Sequence, residues 1–327
     1  MLTVRAFRGS SPIAVANSLD EAFELASQPD TTVWIDMVGA GMEDLKPFAR
    51  RFSVTDLGIE DVLEPHGRTK VSRHTDHLAF VFYACVEPDD EDDDGSPTDF
   101  SMRRLSGFLF PSLLVTLRED ERIDLQPLLD RWLEDPTQMS TGLGYILHSI
   151  LDEIVDGYFD VIQRIDDEVD RLEDVLFIED LPGKTFMTEV YNVRSDLVHL
   201  RRAVLPVREV VSSLSRHYAS ERELQFIYED LWDHILRAAD WLDSLRDLMT
   251  SLVDTNLALQ DARQNIVMKK LAAWAAIISI PTMVTGFFGQ NVPYFGFGTT
   301  SGFVASSVII AVSVAVLFVT FKKTDWL

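Results

Sequence analysis

Residues 271–288 of the chain read LAAWAAIISIPTMVTGFF, and residues 303–321 read FVASSVIIAVSVAVLFVTF. Neither stretch contains a charged residue, and each has the length that an α-helix needs to cross the hydrocarbon core of a bilayer, about 17–25 residues. A pair of buried core helices is the alternative, but two such runs beside one short loop are hard to fit inside a soluble domain. The sequence therefore predicts two C-terminal transmembrane helices.

Basic residues flank this pair of apolar runs on one side only. Lys269 and Lys270 precede the first run, and Lys322 and Lys323 follow the second, whereas residues 289–302 contain no Lys or Arg. Because Lys and Arg are retained on the cytoplasmic side of a membrane, both termini are expected in the cytoplasm. The sequence thus predicts a multi-pass protein of the cell's plasma (inner) membrane with a short outward-facing loop.

The composition excludes several classes of function. The 327 residues include 53 acidic and 29 basic side chains, and the formal net charge is −24. Such a chain is a poor binder of nucleic acid, but its surface suits cations. Gly183-Lys184-Thr185 lacks the upstream glycine of a P-loop, and no nucleophile elbow, dinucleotide loop or zinc-type histidine cluster occurs. We therefore expect neither an enzyme nor an organic cofactor.

The part of the chain before the apolar runs changes character near residue 140. Residues 78–86, 105–110 and 113–117 are rich in β-branched and aromatic side chains, which predicts strands. From about residue 142 onward, apolar residues recur at every third or fourth position, which predicts long helices. The predicted domains are an α/β domain at 1–140, a helical pair at 141–220, a stalk helix that continues into the membrane at 221–288, an outer loop at 289–302, a second transmembrane helix at 303–321 and a basic tail at 322–327.

One face of the first membrane helix collects small and polar residues. They follow each other in steps of three, four or seven: Asp254, Asp261, Asn265, Met268, Ala275, Ser279, Thr282 and Gly286. Two helices cannot enclose a water path, so conduction would require several copies of the chain in a ring, each lining the axis with one helix. The same stripe also suits helix–helix packing through small residues, and the pattern leaves both interpretations open.

The tripeptide Gly289-Gln290-Asn291 follows the first apolar run directly. The Asn side chain offers a neutral carbonyl oxygen, and Mg²⁺ gives up its water ligands reluctantly. A ring of such oxygens could hold a hydrated ion without trapping it, as conduction requires. Taken alone, the tripeptide also fits an ordinary helix C-cap.

Together these features resemble the CorA family of divalent-cation channels. The resemblance rests on the two C-terminal spans, the Gly-x-Asn tripeptide between them and the Lys-rich tail that ends in Trp326-Leu327. It extends inward through four segments: 265–269 (NIVMK), 228–234 (YEDLWDH), 200–209 (LRRAVLPVRE) and 59–63 (IEDVL). The similarity covers most of the chain, and the first 40 residues contribute least.

The resemblance implies an α+β membrane protein with a cytoplasmic α/β/α domain, a long helical stalk and two transmembrane helices, assembled as a homopentameric funnel in the lipid bilayer. It implies passive influx of Mg²⁺, often also of Co²⁺ or Ni²⁺, with Mg²⁺ as both the transported and the regulatory ion. By position, the selectivity filter is Gly289, Gln290 and Asn291. The implied pore-lining positions are Asp254, Asn265, Met268, Leu271, Ala275, Ser279 and Thr282.

An intracellular Mg²⁺ sensor is also implied, in which Asp230 of one subunit faces Glu60 or Asp61 of its neighbour. Facing carboxylates repel each other, and a bound divalent cation cancels that repulsion. High internal Mg²⁺ would hold a closed ring, and low Mg²⁺ would release it, which is negative feedback through differential binding to two states. Without the resemblance, Asp230 and Asp61 would be interpreted as ordinary solvated surface.

Three positions depart from the family's pattern. Gln290 stands where methionine is usual, Ser279 stands where some relatives have a bulky apolar residue, and residues 289–302 contain no acid. These departures leave the ion preference open between Mg²⁺, Co²⁺, Ni²⁺ and Zn²⁺. Two alternatives therefore stand beside the channel: a Zn²⁺ transporter of the same fold, coupled to protons, and a membrane-anchored metal sensor or scaffold that does not conduct.

Overall fold

The computed structural model describes residues 1–9, 11–16, 18–65, 67–88, 98–134, 141–176, 183–290, 293–294 and 296–327. These residues form two compact units, Met1–Thr250 and Ser251–Leu327. The strands are β1 (Leu2–Arg8), β2 (Ser11–Ala16), β3 (Thr31–Val38), β4 (Lys70–Arg73), β5 (Leu78–Val86), β6 (Ser101–Leu109) and β7 (Leu113–Arg118). The helices are α1 (Leu19–Ala26), α2 (Met42–Phe52), α3 (Asp56–Leu63), α4 (Gln126–Glu134), α5 (Leu143–Leu176), α6 (Gly183–His217), α7 (Arg222–Phe288) and α8 (Thr300–Lys323).

The described strands of the first unit form one seven-stranded sheet in the order β2-β1-β3-β7-β6-β5-β4. Strands β3 and β7 pair in parallel, and every other neighbouring pair is antiparallel. In β7, Leu113 and Val115 belong to the core on one face of the sheet, while Leu114 between them is buried on the other. The sheet is therefore covered on both faces, as the apolar runs in its central strands require.

Helices α1, α2 and α3 pack on one face of this sheet. Phe48 of α2 lies 5.2 Å from Phe108 of β6, measured between ring centroids, and both side chains are almost completely buried. Full burial of a side chain of this size stabilises the fold by about 1.5–3 kcal/mol. On the other face the Tyr158 hydroxyl of α5 donates a hydrogen bond to the Tyr83 carbonyl of β5, at 2.5 Å. The result is the expected α/β/α arrangement.

Three long helices follow the sheet. Helix α5 keeps its apolar period throughout and buries one face, which includes Ile150, Ile154 and Ile165. Helix α6 continues through Pro206 without interruption, and α7 runs unbroken past the boundary between the two units. This confirms the predicted fold class: an α/β domain, a long helix and two C-terminal apolar helices.

Two described helices, α7 and α8, are long and apolar enough to cross a membrane. Only 17% of the most apolar stretch of α7 and 6% of that of α8 are buried within the chain. A core helix of a soluble protein would bury most of such a stretch. The apolar surface of both helices therefore needs an environment outside the single chain, which lipid provides.

Candidate ion pathway and metal-binding cluster

The seven implied pore-lining positions share one exposed face of α7. Every one of these side chains is exposed in the single chain. The opposite face of the same helix is buried: Ala273 is 0% exposed, and Ile277 and Val284 are each 7% exposed. Since a helix turns once in 3.6 residues, these three positions lie about half a turn away from Ser279 and Ala275.

The second apolar helix has a matching covered face. Its buried or half-buried residues recur at helical spacing: Gly302, Ser306, Ile310, Ser313, Val314, Leu317 and Phe321. Within this unit, the two apolar helices thus have covered stripes of the same period, and neither stripe includes the implied pore-lining residues. The small and polar stripe of α7 is therefore not the face used for packing within one chain.

The rest of the exposed membrane surface of α7 is bulky and apolar. Trp274, Ile278, Met283 and Phe287 are between 51% and 69% exposed, and they lie beside the small-residue stripe. The helix thus has one face that is covered within its own unit and an opposite face of mostly small and polar groups, and bulky apolar side chains that suit lipid lie on both sides of this second face. This sorting is what a helix needs if one side of it faces water.

The hydroxyl groups of the stripe are oriented by the helix backbone. The Ser279 hydroxyl donates to the Ala275 carbonyl at 2.8 Å, and the Thr282 hydroxyl donates to the Ile278 carbonyl at 3.1 Å. Each hydroxyl proton is therefore used inside the helix, and the oxygen lone pairs remain as acceptors. Such oxygens can accept hydrogen bonds from the water shell of a cation.

The end of α7 has no space for a side chain at Gly289, the first implied filter position. The Gly289 amide donates to the Thr285 carbonyl at 2.8 Å, and a Cβ atom on Gly289 would lie 2.9 Å from that carbonyl oxygen. The Gln290 amide donates to the Phe287 carbonyl at 3.3 Å, and both Gly289 and Gln290 are exposed. The third implied filter residue, Asn291, lies outside the described residues.

Two glycines come into close contact at the start of α8. Gly296 has a φ of +88°, and a Cβ atom on Gly302 would lie 2.3 Å from the Gly296 carbonyl oxygen. Thr299 caps α8, because its hydroxyl oxygen accepts a hydrogen bond from the Gly302 amide at 3.3 Å. Glycine at both positions therefore permits the short connection between the two apolar helices.

A cluster of side chains that could hold a metal ion lies in the first unit, next to the implied sensor residue Asp230. The His234 Nε2 atom is 3.7 Å from an Asp230 carboxylate oxygen, and the His234 Nδ1 atom is 3.9 Å from an Asp152 oxygen. One ligand atom each from Asp152, Asp156 and His234 lie within 4.8 Å of one another. We refer to Asp152, Asp156, Asp230 and His234 as the α5–α7 cluster.

Crowded negative charge characterises the α5–α7 cluster. Burial raises the pKa of Asp152, the Asp230 charge raises it further, and His234 opposes the rise. Burial also raises the pKa of Asp156, with Asp152 as the next cause. A cation bound among these carboxylates would relieve the repulsion. The oxygens suit Mg²⁺, and the imidazole adds a ligand that Zn²⁺, Co²⁺ and Ni²⁺ prefer.

Sequence reasoning identified Asp230 but missed the other members of this cluster. Asp152 and Asp156 are four residues apart on α5, and Asp230 and His234 are four apart on α7, so each pair shares a helical face. That spacing was the available signal. What the sequence could not provide was that the two faces meet.

The other two implied sensor residues lie on α3. Asp61 forms an ion pair with Lys70, with 2.9 Å between the carboxylate oxygen and Nζ. Glu60 is exposed and has no hydrogen bond or ion pair to any described residue. In one chain neither belongs to the α5–α7 cluster. Their implied pairing is between subunits, so it stays a prediction.

Comparisons with a family model, with curated proteins and with solved structures all find CorA proteins. Residues 29–323 match the family model described as "CorA-like Mg2+ transporter protein". The cobalt/magnesium transport protein CorA of Thermotoga maritima is 27% identical over 91% of this chain and 84% of its own length. The corresponding protein of Methanocaldococcus jannaschii is 24% identical over the full length of both chains. The complete structure of the M. jannaschii CorA magnesium transporter superposes on 100% of this chain and 99% of its own, with a TM-score of 0.78 and 21% identity.

Proposed function

The chain belongs to the family of CorA-like Mg²⁺ transporter proteins, and from this premise we propose that it is a channel through which divalent cations enter the cell. Mg²⁺ is the first expected substrate, and Co²⁺ and Ni²⁺ follow it. The observation that supports a channel most directly is the stripe of α7: it is small, polar and exposed, and the chain's own helix packing uses the opposite face.

A conducting pathway requires several copies of the chain, because two apolar helices do not enclose water. In the proposed assembly each copy turns the α7 stripe toward a common axis in the plasma membrane, with both termini in the cytoplasm. The resemblance implies five copies. The bulky apolar faces of α7 and α8 then contact lipid or the neighbouring copy.

Selection takes place where Gly289, Gln290 and Asn291 follow the end of α7. A ring of neutral amide oxygens binds a divalent cation through its water shell, so that the ion is held weakly and can leave. Below this ring the ion passes the Thr282 and Ser279 hydroxyls, whose protons are already donated to the helix backbone. These acceptors stabilise the hydrated cation without binding it directly.

Internal Mg²⁺ closes the channel through carboxylates of the first unit. Asp230 is exposed and is the member of the α5–α7 cluster that a Glu60 or Asp61 side chain from a neighbouring subunit would approach. Of the two, Glu60 is better suited than Asp61 to share a cation with Asp230, because the Asp61 carboxylate already has Lys70 of its own chain as a counter-ion. A cation shared across this contact favours the closed arrangement of copies.

The test of the channel is Mg²⁺ flux into liposomes at fixed voltage and pH. Asn291→Ala is expected to abolish Mg²⁺ flux, because the amide oxygen is lost, while the assembly keeps its size in detergent. Gln260→Ala is the matched control: it removes a neutral amide from α7 outside the stripe and should leave flux unchanged. Normal flux in the Asn291→Ala protein would contradict the proposed filter.

The second candidate is a Zn²⁺ transporter coupled to protons, which His234 in the α5–α7 cluster favours. Flux of Mg²⁺, Co²⁺ and Zn²⁺ compared in the same liposomes separates the two. A channel follows voltage with little effect of a pH gradient, whereas a coupled transporter needs that gradient. A protein that conducts none of the three ions, yet binds metal at Asp230, would be the non-conducting sensor.

A further inference from the structure

The positive charge of the second unit is concentrated at one end of its two apolar helices. Residues 251–327 contain five basic and three acidic side chains, which is a formal charge of +2, whereas the whole chain has a charge of −24. Four of the five basic residues are Lys269 and Lys270 on α7 and Lys322 and Lys323 on α8. This unit therefore differs in the sign of its charge from the rest of the chain.

The two pairs of lysines lie at the same level of the membrane. Lys269 is 19 residues before Phe288 at the end of α7, and Lys322 is 22 residues after Thr300 at the start of α8. At 1.5 Å per residue these separations are about 28 Å and about 33 Å, close to the thickness of the hydrocarbon core of a bilayer, about 30 Å. Since the short loop joins the other ends of the two helices, both pairs reach the same membrane surface.

The four ammonium groups have no counter-charge within the described chain. All four lysines are exposed, and none of them forms an ion pair or a side-chain hydrogen bond with a described residue. Asp325, only two positions after Lys323, is exposed as well and forms no ion pair with it. The lysines can therefore bind anions that come from outside the single chain.

The two lysines of α7 point away from the implied pathway. Successive residues of a helix are about 100° apart around its axis. Lys269 and Lys270 therefore lie on either side of Ala273, which is completely buried, and each is within about 60° of it. Each lysine points about 100° or 160° away from Met268 and Leu271, the implied pore-lining residues at the same level. The positive charge of α7 thus lies on its covered side.

The two lysines of α8 point away from the face that this helix covers. Phe321 belongs to the covered stripe, and Lys322 and Lys323 point about 100° and 160° away from it. The tail folds back on the covered side: the Trp326 amide donates to the Phe321 carbonyl at 2.9 Å, and the two rings stack with their centroids 5.7 Å apart. Because tryptophan favours the boundary between lipid and water, Trp326 fits a tail held at the level of the headgroups.

We propose that Lys269, Lys270, Lys322 and Lys323 form a binding surface for anionic phospholipid headgroups on the cytoplasmic side of the membrane. The inference uses the proposed function in one respect, namely that the α7 stripe faces the axis of the assembly. The covered face of α7 and the lysines beside it then point outward, toward the surrounding lipid. Lipid phosphates supply there the negative charge that the described chain does not provide, and basic side chains next to a membrane attract such lipids.

The test measures which lipid stays bound to the purified full-length assembly. The protein is equilibrated in mixed micelles with equal amounts of phosphatidylglycerol and phosphatidylcholine and is repurified, and its bound lipids are quantified by mass spectrometry. Phosphatidylglycerol should be enriched about fivefold or more, since one lysine near an anionic surface contributes about this factor. Lys269→Gln combined with Lys270→Gln, and separately Lys322→Gln combined with Lys323→Gln, should each lower the enrichment about fivefold or more.

Two controls separate charge at this surface from charge in general. Lys322→Arg combined with Lys323→Arg keeps both charges and should keep the enrichment. Arg222→Gln combined with Arg237→Gln removes two exposed positive charges from the first unit and should leave the enrichment unchanged. Phosphatidylglycerol should also raise the melting temperature of the native protein, because a ligand that binds the folded state stabilises it, and it should raise that of the glutamine variants less.

Three results would overturn the proposal. The first is the same enrichment in the native protein and in both glutamine variants. The second is displacement of the bound lipid by inorganic phosphate at constant ionic strength, which would indicate a site for a free anion. The third is an equal loss of melting temperature in the glutamine variants with phosphatidylcholine alone, which would indicate that the lysines pair with carboxylates of a neighbouring copy.

The lipid measurement does not depend on ion conduction, so the two proposals can fail separately. A native protein that binds phosphatidylglycerol through these lysines but conducts no ion would contradict the channel and leave the lipid surface in place. A protein whose Mg²⁺ flux is abolished by Asn291→Ala, but whose bound lipid does not change in the lysine variants, would support the channel and refute the lipid surface.

Discussion

His148 is held as a neutral imidazole at the start of α5. Its Nε2 atom donates to the Ile227 carbonyl at 3.0 Å, and its ring packs edge-to-face against Tyr228. Its Nδ1 atom is buried and has no hydrogen-bond partner among the described residues. Protonation would create an N–H group there without an acceptor, and burial lowers the pKa of His148 to about 4.

This lowered pKa predicts that acid destabilises the fold through His148. The pKa of a histidine in the unfolded chain is about 6.5, so on acidification the unfolded chain binds the proton first. The stability that His148 contributes is complete above about pH 6.5 and is lost as the pH falls towards 4; between pH 7.5 and pH 5 the loss is about 2 kcal/mol. His148→Gln keeps a donor for Ile227 but does not titrate, so its melting temperature should fall less over this range in thermal unfolding of the full chain in detergent. Equal falls in both proteins would contradict the prediction.

At the scale of single elements, the strands and helices that could be predicted from the sequence are those whose own residues show a clear apolar pattern. Strand β5 begins and ends where its apolar and β-branched residues place it, at 78–86. Strands β1, β2 and β4 and helix α4 were not predicted. β4 has only four residues, none fully buried, and it forms because β5 offers backbone partners. Short elements of this kind depend on their neighbours more than on their own residues.

The candidate site divides in the same way. The small and polar stripe of α7 is local and could be identified from helical spacing, but whether it lines a pore or packs against α8 depends on which face is covered. The burial of Ala273 and Ile277 shows that the face opposite the stripe is the one covered within the chain. The sequence alone does not reveal this, because nearly all residues on every side of this segment are apolar. The α5–α7 cluster unites Asp152 with His234, which are 82 positions apart in the sequence, and only the packing of two helices brings them together.

The faces of α7 predict a sharp difference in water access between Ser279 on the small and polar stripe and the bulky apolar residues beside it. Cys85 is the one native cysteine, so a Cys85→Ala background allows single cysteines to be placed in the membrane helix. Ser279→Cys should react with a positively charged, membrane-impermeant thiol reagent, and Mg²⁺ flux should fall as it reacts. Trp274→Cys, which lies farther from the implied pore-lining positions on the bulky apolar side of the helix, should react at least about tenfold more slowly, because lipid excludes the charged reagent and keeps the thiol protonated. Similar reaction rates at the two positions would show that both have the same access to water and would contradict the assignment of the α7 stripe to a pore.

At the scale of the whole molecule, the charge of the chain suits an assembly that cations hold together. Each copy carries a formal charge of −24, so copies placed side by side repel each other unless counter-ions gather between them. Five copies of the 37.0 kDa chain would form an assembly of about 185 kDa. Divalent cations bound between carboxylates of adjacent copies would be the most effective counter-ions, and the proposed sensor would in this way link closure of the assembly to internal Mg²⁺.

This link predicts how the sensor fails when its carboxylates are removed. Two variants are compared: Asp61→Ala combined with Asp230→Ala, and separately Asp152→Asn. Mg²⁺ is applied to the face that carries the N-terminal unit, and the concentration that halves the flux is measured. In each variant this concentration should rise about tenfold, which is within the usual range of coupling between two sites. Flux without that internal Mg²⁺ should be unchanged, because none of these residues lies on the α7 stripe. Asp240→Asn is the matched control: it removes an exposed carboxylate from α7 away from the cluster. A shift of the inhibition in Asp152→Asn would assign the sensor to the α5–α7 cluster. A shift in the Asp61 and Asp230 double variant alone would assign it to Asp230 without Asp152, and unchanged inhibition in both would refute metal sensing at this part of the fold.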